Sequence, residues 1–193
     1  MSQEPNPFRR FETLLARAWE VGVKHAHAMV LSTVSADGQP SSRQVLLKGV
    51  DERGFVFYTN LKSRKGIELA ANPRCSLNFY WREMDQQVTI LGRVEEVTNQ
   101  EADAYFESRD RASRLGAWAS QQSQVLSSKA KLLAQVAKVG ARHPGKIPRP
   151  SHWSGYRVVP FYFEFWTSGA FRLHDRFRYR LEEGEWKIDR LYP

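Results

Sequence analysis

Lys62, Arg64 and Lys65 crowd the segment LKSRKGIELAANP, in which Ser63 can cap the start of a helix of about two to three turns that Pro73 ends. The exposed N–H groups and macrodipole of a helix start favour negative charge, so cations gathered there run against the usual preference. A phosphate bound at this N-terminus would resolve the conflict, with Arg64 and Lys65 adding charge-assisted hydrogen bonds to those of the backbone. The plainer account is a solvated surface, since an exposed dipole contact is worth less than about 1 kcal/mol.

In FRLHDRFRY, strand alternation places Arg172, His174 and Arg176 on one face and Leu173, Asp175 and Phe177 on the other. A line of like charge invites an anion or an electron-rich ring, and an imidazole there could donate or accept a proton. A solvated barrel strand would read the same way. Arg43 and Lys48 bracket the run QVLL, and strict alternation sends them to opposite faces unless a bulge or a strand edge intervenes. Tyr105 and Arg109 stand four apart on an expected helix, with Ser113 just beyond, as either a phosphate cluster or ordinary helix surface. Trp166, closing FYFEFW, can stack on a cofactor or fill a core. Gln87, Gln122 and Ser123 can bond the edge of a cofactor ring or simply a turn. Cys75 reads as a small buried apolar residue rather than a nucleophile. His25, His27, His143 and His152 lack the spacing of metal ligands, so no metal site is expected.

The elements that must carry these groups follow from pattern. Between Ala28 and Asn60, AMVLSTV, SSRQVLLKGV and FVFYTN are three β-type runs separated by SADGQP and DERG, with Asp37-Gly38 a strong hairpin signal. RCSLNFYW and QQVTILGRVEEV make two more strands joined by REMD. Thr98 to Glu101 fits a capping box opening a helix that carries Ala102, Tyr105 and Phe106 on one face, and SSKAKLLAQVAKVGAR is a further helix. After the Pro/Gly-rich HPGKIPRPS the chain returns to β with GYRVVPFYFEFW, FRLHDRFRYRLE and EWKIDRLYP. This order predicts a mainly β (α+β) fold, a small antiparallel barrel with peripheral helices.

The chain's 193 residues, 41% of them hydrophobic, suit one domain over 1–193, with an amphipathic helical arm in residues 1–25 and closing strands from about 150. One cysteine and the lack of a secretory or membrane-spanning stretch point to the cytoplasm. The net charge of +8 makes an anionic partner plausible, but the basic residues sit singly at special positions instead of forming the tract of many nucleic-acid binders. No GxGxxG, GxxxxGK[ST], HExxH or GxSxG occurs, which removes weight from the Rossmann, P-loop, zinc-protease and α/β-hydrolase classes.

RQVLLKG, FYTNLKSRKGIEL, QQVTILGRVE, YFESRDRASRLGAWASQQS and EFWTSGAFRLHDRFRY followed by WKIDRLYP together resemble the pyridoxamine 5'-phosphate oxidase family, from about Ala28 to the C-terminus. The resemblance implies an FMN-binding split β-barrel that forms a homodimer with FMN at the interface. It implies FMN contacts at Arg43, Val45, Leu46, Lys48, Tyr58, Thr59, Arg64 and Lys65, completed by Gln87, Gln122, Ser123, Trp166 and Arg176, some from the second subunit. Lys48, Tyr105, Arg109 and Ser113 would hold the phosphate of a small phosphorylated pyridine, with Arg172 and His174 over its ring as the catalytic pair. The implied reaction oxidises pyridoxamine or pyridoxine 5'-phosphate to pyridoxal 5'-phosphate through the flavin, with O2 reduced to hydrogen peroxide. The flavin carries the hard chemistry, and the protein orients.

The sequence also departs from the family pattern. The first 25 or so residues lack the arginine- and tyrosine-bearing arm some members fold over the substrate, Gln44 replaces a usually apolar residue, and Asp110 stands where proline is common. Two rival readings are a same-fold oxidase of the phenazine-biosynthesis branch, which YWREMDQQ locally resembles, and a basic nucleic-acid-binding β-barrel. Retention of Lys48, Arg109 and Arg172 favours a phosphorylated substrate over the phenazine reading, and a nucleic-acid binder would be colourless where an FMN protein is yellow.

Overall fold

Asn6 begins the first helix. Its side-chain oxygen accepts from the N–H groups of Phe8 (2.9 Å) and Arg9 (3.3 Å), and Pro7 occupies the first helical position, where no N–H is needed. In this computed structural model, which describes residues 4–193, the helix α1 spans Pro7–Glu20. The first three residues expected in the N-terminal arm lie outside the described residues. Within it, α1 is packed as a plug: Phe11 is fully buried, its ring edge-on to Phe55 at 4.9 Å and Phe79 at 4.8 Å.

The described residues form nine strands, and every pairing among them is antiparallel. β1 (Ala28–Val34) and β2 (Pro40–Leu46) make the expected hairpin, β3 (Gly49–Asp51) and β4 (Gly54–Asn60) the next. β5 (Arg74–Trp81), β6 (Gln86–Glu96) and β7 (Trp153–Thr167) complete a sheet in the order β2-β1-β5-β6-β7-β4-β3. β2 and β3 lie at opposite ends of that order, yet only Leu47 and Lys48 separate them in the chain. Two residues span only about 7 Å, so the sheet must curl until its ends meet. The seam is held by the Leu47 N–H donating to the His27 carbonyl (2.8 Å) and the Lys48 N–H to that of Val56 (2.8 Å). SSRQVLLKGV is therefore not one strand, as expected, but two. Lys48 falls at the break, which removes the conflict of facing with Arg43.

β7 changes partners midway. Its first half pairs with β4 and its second with β8 (Asp175–Glu182), which pairs in turn with β9 (Glu185–Leu191). The register with β6 slips between Leu91 and Gly92, leaving Phe161 as an extra residue beside Pro160. Gly92 is required there, because a Cβ would sit 2.6 Å from the Val159 carbonyl oxygen. Bulge, proline and glycine coincide where one strand passes from the barrel to the outer hairpin.

Five helices accompany the sheet among the described residues: α1, α2 (Arg64–Ala71), α3 (Asn99–Ser108), α4 (Arg111–Ala119) and α5 (Lys129–Arg142). Ser63 caps α2, and Thr98 with Glu101 forms the expected capping box of α3. α4 is an element that the sequence pattern does not predict. Its cap is Asp110, whose carboxylate accepts from the Ser113 N–H at 2.8 Å. No helix among the described residues is long and apolar enough to cross a membrane.

Candidate active site

At the start of α2 the chain buries a lysine. Lys65 is 8% exposed, and its Nζ donates to Ser63 Oγ (3.3 Å) and Gln122 Oε1 (3.4 Å). Burial, and secondarily the charge of Arg43, pulls its pKa below the usual lysine value. A cation desolvated this far, with neutral hydrogen-bond partners and only the nearby Glu68 charge to offset it, can receive an anion.

Behind it lies a carboxylate that the sequence reading missed. Glu68, 4% exposed, accepts from Ser41 Oγ (2.7 Å), Arg64 Nε (2.7 Å) and Arg43 Nη2 (3.2 Å), and also from Thr33 Oγ1. Burial alone would raise its pKa, but these donors and the Arg43 charge outweigh it and hold the carboxyl at about 2. The available signal was the i,i+4 spacing of Arg64 and Glu68 in SRKGIEL.

From this cradle a cavity of about 1030 Å³ runs toward α3 and α4. Arg43, Val45, Leu46, Tyr58, Thr59, Lys65 and Gln122 line it, as do Lys48, Tyr105, Arg109 and Ser113. Its far wall is aromatic. Tyr58 stacks with Tyr105 at 4.0 Å and with Trp153 at 5.3 Å, both nearly parallel. The Arg109 guanidinium lies 4.9 Å from the centre of Trp153, and its buried Nη1 has no hydrogen-bond partner among the described residues. Desolvation lowers the Arg109 pKa, and Lys48 Nζ stands 5.9 Å from the Tyr105 ring. Ser113 is partly committed, since its hydroxyl donates to Asp110 at 2.6 Å. Trp153 also belongs to this wall without a sequence signal, since β7 begins two residues before the expected start at Gly155.

The remaining expected residues fall elsewhere. Arg64 and Ser123 border a smaller cavity of about 500 Å³ that Glu68 also lines, with the Arg64 N–H donating to Ser123 Oγ at 3.2 Å. Gln87, Trp166 and Arg176 form a row across β6, β7 and β8 through the direct pairs Gln87–Trp166 and Trp166–Arg176. Arg176 is paired with Glu164 at 2.8 Å, and the His174 ring lies 4.7 Å from Trp166. Trp166 is thus not a core residue. It is half-buried, on the face opposite the buried Phe165.

Alternation was the wrong guide for Arg172 and His174. Ala170–Arg172 is a 3-10 turn, His174 precedes β8, and only Arg176 of the three is on a strand. Phe171 and Arg172 adopt left-handed backbone angles (φ 56° and 64°), which no strand permits.

Fold and cleft together define a split-barrel protein with a cationic, aromatic-walled cavity. Residues 15–143 match the family described as Pyridoxamine 5'-phosphate oxidase, and residues 153–193 match the Pyridoxine 5'-phosphate oxidase C-terminal dimerisation region. The chain belongs to the pyridoxamine 5'-phosphate oxidase family, a family of oxidoreductases. It is 53% identical over 190 residues to a pyridoxine/pyridoxamine 5'-phosphate oxidase of Myxococcus xanthus, covering 98% of this chain and 92% of that one. A protein of the same description from Bordetella petrii is 52% identical over 193 residues, covering 100% and 91%. Among solved structures, PhzG from Burkholderia lata in complex with tetrahydrophenazine-1-carboxylic acid superposes with a TM-score of 0.95 at 34% identity, covering 100% of this chain and 95% of that one. A pyridoxamine 5'-phosphate oxidase-related, FMN binding protein from Nostoc punctiforme shares the fold, with a TM-score of 0.77 at 17% identity over the full length of both chains.

Proposed function

We propose that the chain is an FMN-dependent oxidase that converts pyridoxamine and pyridoxine 5'-phosphate to pyridoxal 5'-phosphate. The observation that carries this reading is one cavity with two anion-receptive ends: buried Lys65 beside Arg43 at the start of α2, and the unpartnered Arg109 with Lys48 on the aromatic wall. Two ends of this kind suit two phosphates, one on a cofactor and one on a substrate.

The residues fit FMN. Lys65, the N–H groups opening α2 and Gln122 would hold its phosphate and neighbouring polar groups, with Arg43 braced behind by Glu68. Arg64 would join them by turning from Glu68. Held there, FMN would supply a two-electron acceptor that could be reoxidised by dioxygen with release of hydrogen peroxide. The chain's own groups bind and orient. Arg109, Lys48, Tyr105 and Ser113 grip the substrate phosphate and set the reacting carbon against the cofactor face. The imine formed from the amine substrate takes up water and releases ammonia and the aldehyde.

The row Gln87–Trp166–Arg176, with Arg172 and His174, does not line this cavity. It lies within the stretch from β6 to β8, mostly in the segment matched as a dimerisation region. In a homodimer it would complete the cavity of the partner subunit, with FMN between the two.

The likeness to PhzG supports a second reading, oxidation of a phenazine precursor, in which a carboxylate would occupy the Arg109 end. The anaerobic spectrum separates them. With pyridoxamine 5'-phosphate the yellow protein should bleach and recover in air. Bleaching only with tetrahydrophenazine-1-carboxylic acid would transfer the assignment, and a protein that binds no FMN would overturn both.

A further inference from the structure

The loop joining β7 to β8 commits one nitrogen of His174. The Gly169 N–H donates to His174 Nδ1 at 3.2 Å. A backbone N–H can only donate, so Nδ1 must offer a lone pair, and a neutral ring must then carry its proton on Nε2. The Gly169 N–H is the hydrogen-bond partner found for the His174 ring among the described residues, and it takes Nδ1, not Nε2.

The rest of the loop enforces this contact. Leu173 donates its N–H to the Ala170 carbonyl at 3.0 Å, and a Cβ on Gly169 would stand 2.0 Å from the Leu173 carbonyl oxygen. Phe171 and Arg172 are both left-handed, a conformation that costs side-chain-bearing residues energy and persists only where the surroundings over-determine it. Trp166 flanks the imidazole at 4.7 Å with the rings tilted 43°, which limits the ring's rotation. A neutral ring with the proton on Nδ1, or an imidazolium, would set N–H against N–H at Gly169.

We propose that Gly169 is a positioning residue that selects the Nε2–H tautomer of His174, so that His174 meets its ligand as a hydrogen-bond donor and not as a base. The group it recognises therefore carries an exposed lone pair, such as a deprotonated ring hydroxyl or a carbonyl oxygen. Its identity as a substrate group rests on the proposed function, but the tautomer does not.

Two experiments test it. In holoprotein labelled with 15N-histidine, the signals of His174 are those lost in His174→Asn. The neutral ring should show an unprotonated, acceptor-type Nδ1 and a protonated Nε2, and added pyridoxal 5'-phosphate should move the Nε2 signal more than the Nδ1 signal. A proton on Nδ1 overturns the proposal, whatever the enzyme's substrate. The second experiment splits the two nitrogens. The His174→Gln amide reaches the Nε2 position and can still donate, whereas the His174→Asn amide reaches only the Nδ1 position. KM should stay within about threefold of the parent in the first and rise about tenfold in the second, the worth of one hydrogen bond. Gly169→Ala should raise KM by a similar factor with kcat less affected. Rescue by Asn and not Gln, or an unchanged KM in Gly169→Ala, contradicts the assignment. If the spectra give the Nε2–H tautomer but no phosphorylated pyridine is oxidised, the substrate reading fails and the positioning role stands.

Discussion

The two clusters of expected site residues are built in opposite ways. The cradle around Lys65 and Glu68 is buried and cross-braced, with Glu68 alone receiving donors from four residues of three elements. The cluster around His174 sits beside a strained loop in which Phe171 is 95% and Leu173 70% exposed, with Tyr192 nearby in sequence to β9 at 93%. One chain finishes the first alone. The second presents large apolar side chains to solvent, as expected of a surface that awaits a cover. Both cationic ends of the cavity are thus formed within a protomer, whereas on the proposed function the residues over the substrate ring would be delivered by association.

The largest effect should come from the pre-formed half. Arg109→Ala removes a desolvated guanidinium from the aromatic wall. A charge-assisted contact of this kind is worth about 3 kcal/mol, so kcat/KM for pyridoxamine 5'-phosphate should fall about 100-fold with flavin content unchanged. A comparable loss of flavin would show that the two ends of the cavity are not separate sites. Lys65→Ala should act at the other end, weakening FMN about 30-fold in a fluorescence titration (about 2 kcal/mol). Because burial lowers the Lys65 pKa, parental FMN affinity should also begin to fall at a pH below the usual lysine range.

Arg172→Ala probes the delivered half, with an expected fall of about tenfold in kcat/KM and no change in FMN retention. Phe171→Ser should make flavin content fall on dilution while leaving the cradle of each protomer intact. If dilution has no effect on the variant or parent, the second cluster is not supplied across an interface, and the contrast between the two halves breaks.

Much of this was legible in the sequence, for identifiable reasons. The Ser63 cap, the Thr98–Glu101 box and the Asp37-Gly38 hairpin are local devices whose signals lie within a few residues, and each is present. What was lost depended on the closed barrel. The strand break at Leu47 and Lys48 follows from joining opposite ends of a curled sheet, and no pattern in RQVLLKGV marks it. The Arg172–His174 loop imitates strand alternation although Gly169 and two left-handed residues turn it aside. Glu68 was hidden because its role comes from Thr33, Ser41 and Arg43, at least 25 residues away in the chain.

Glu68→Gln makes the finest test of the cross-bracing. The parent carboxyl titrates at about 2 against an ordinary 4.5, so its stabilising effect is complete above about pH 4.5 and is lost as the pH falls toward 2. Gln keeps an acceptor for Ser41 and Thr33 but no charge for Arg43 and Arg64. In thermal melts of the FMN-free protein the variant should be less stable than the parent at pH 7, by a few degrees, with the gap narrowing as the pH is lowered from 5 to 3. FMN should close part of the gap at pH 7, because its phosphate would supply the anion those cations have lost. A gap that stays constant with pH would mean that Glu68 acts through packing and not through charge. The cradle would then owe its rigidity to the barrel around it, and the contrast with the exposed loop would be one of burial alone.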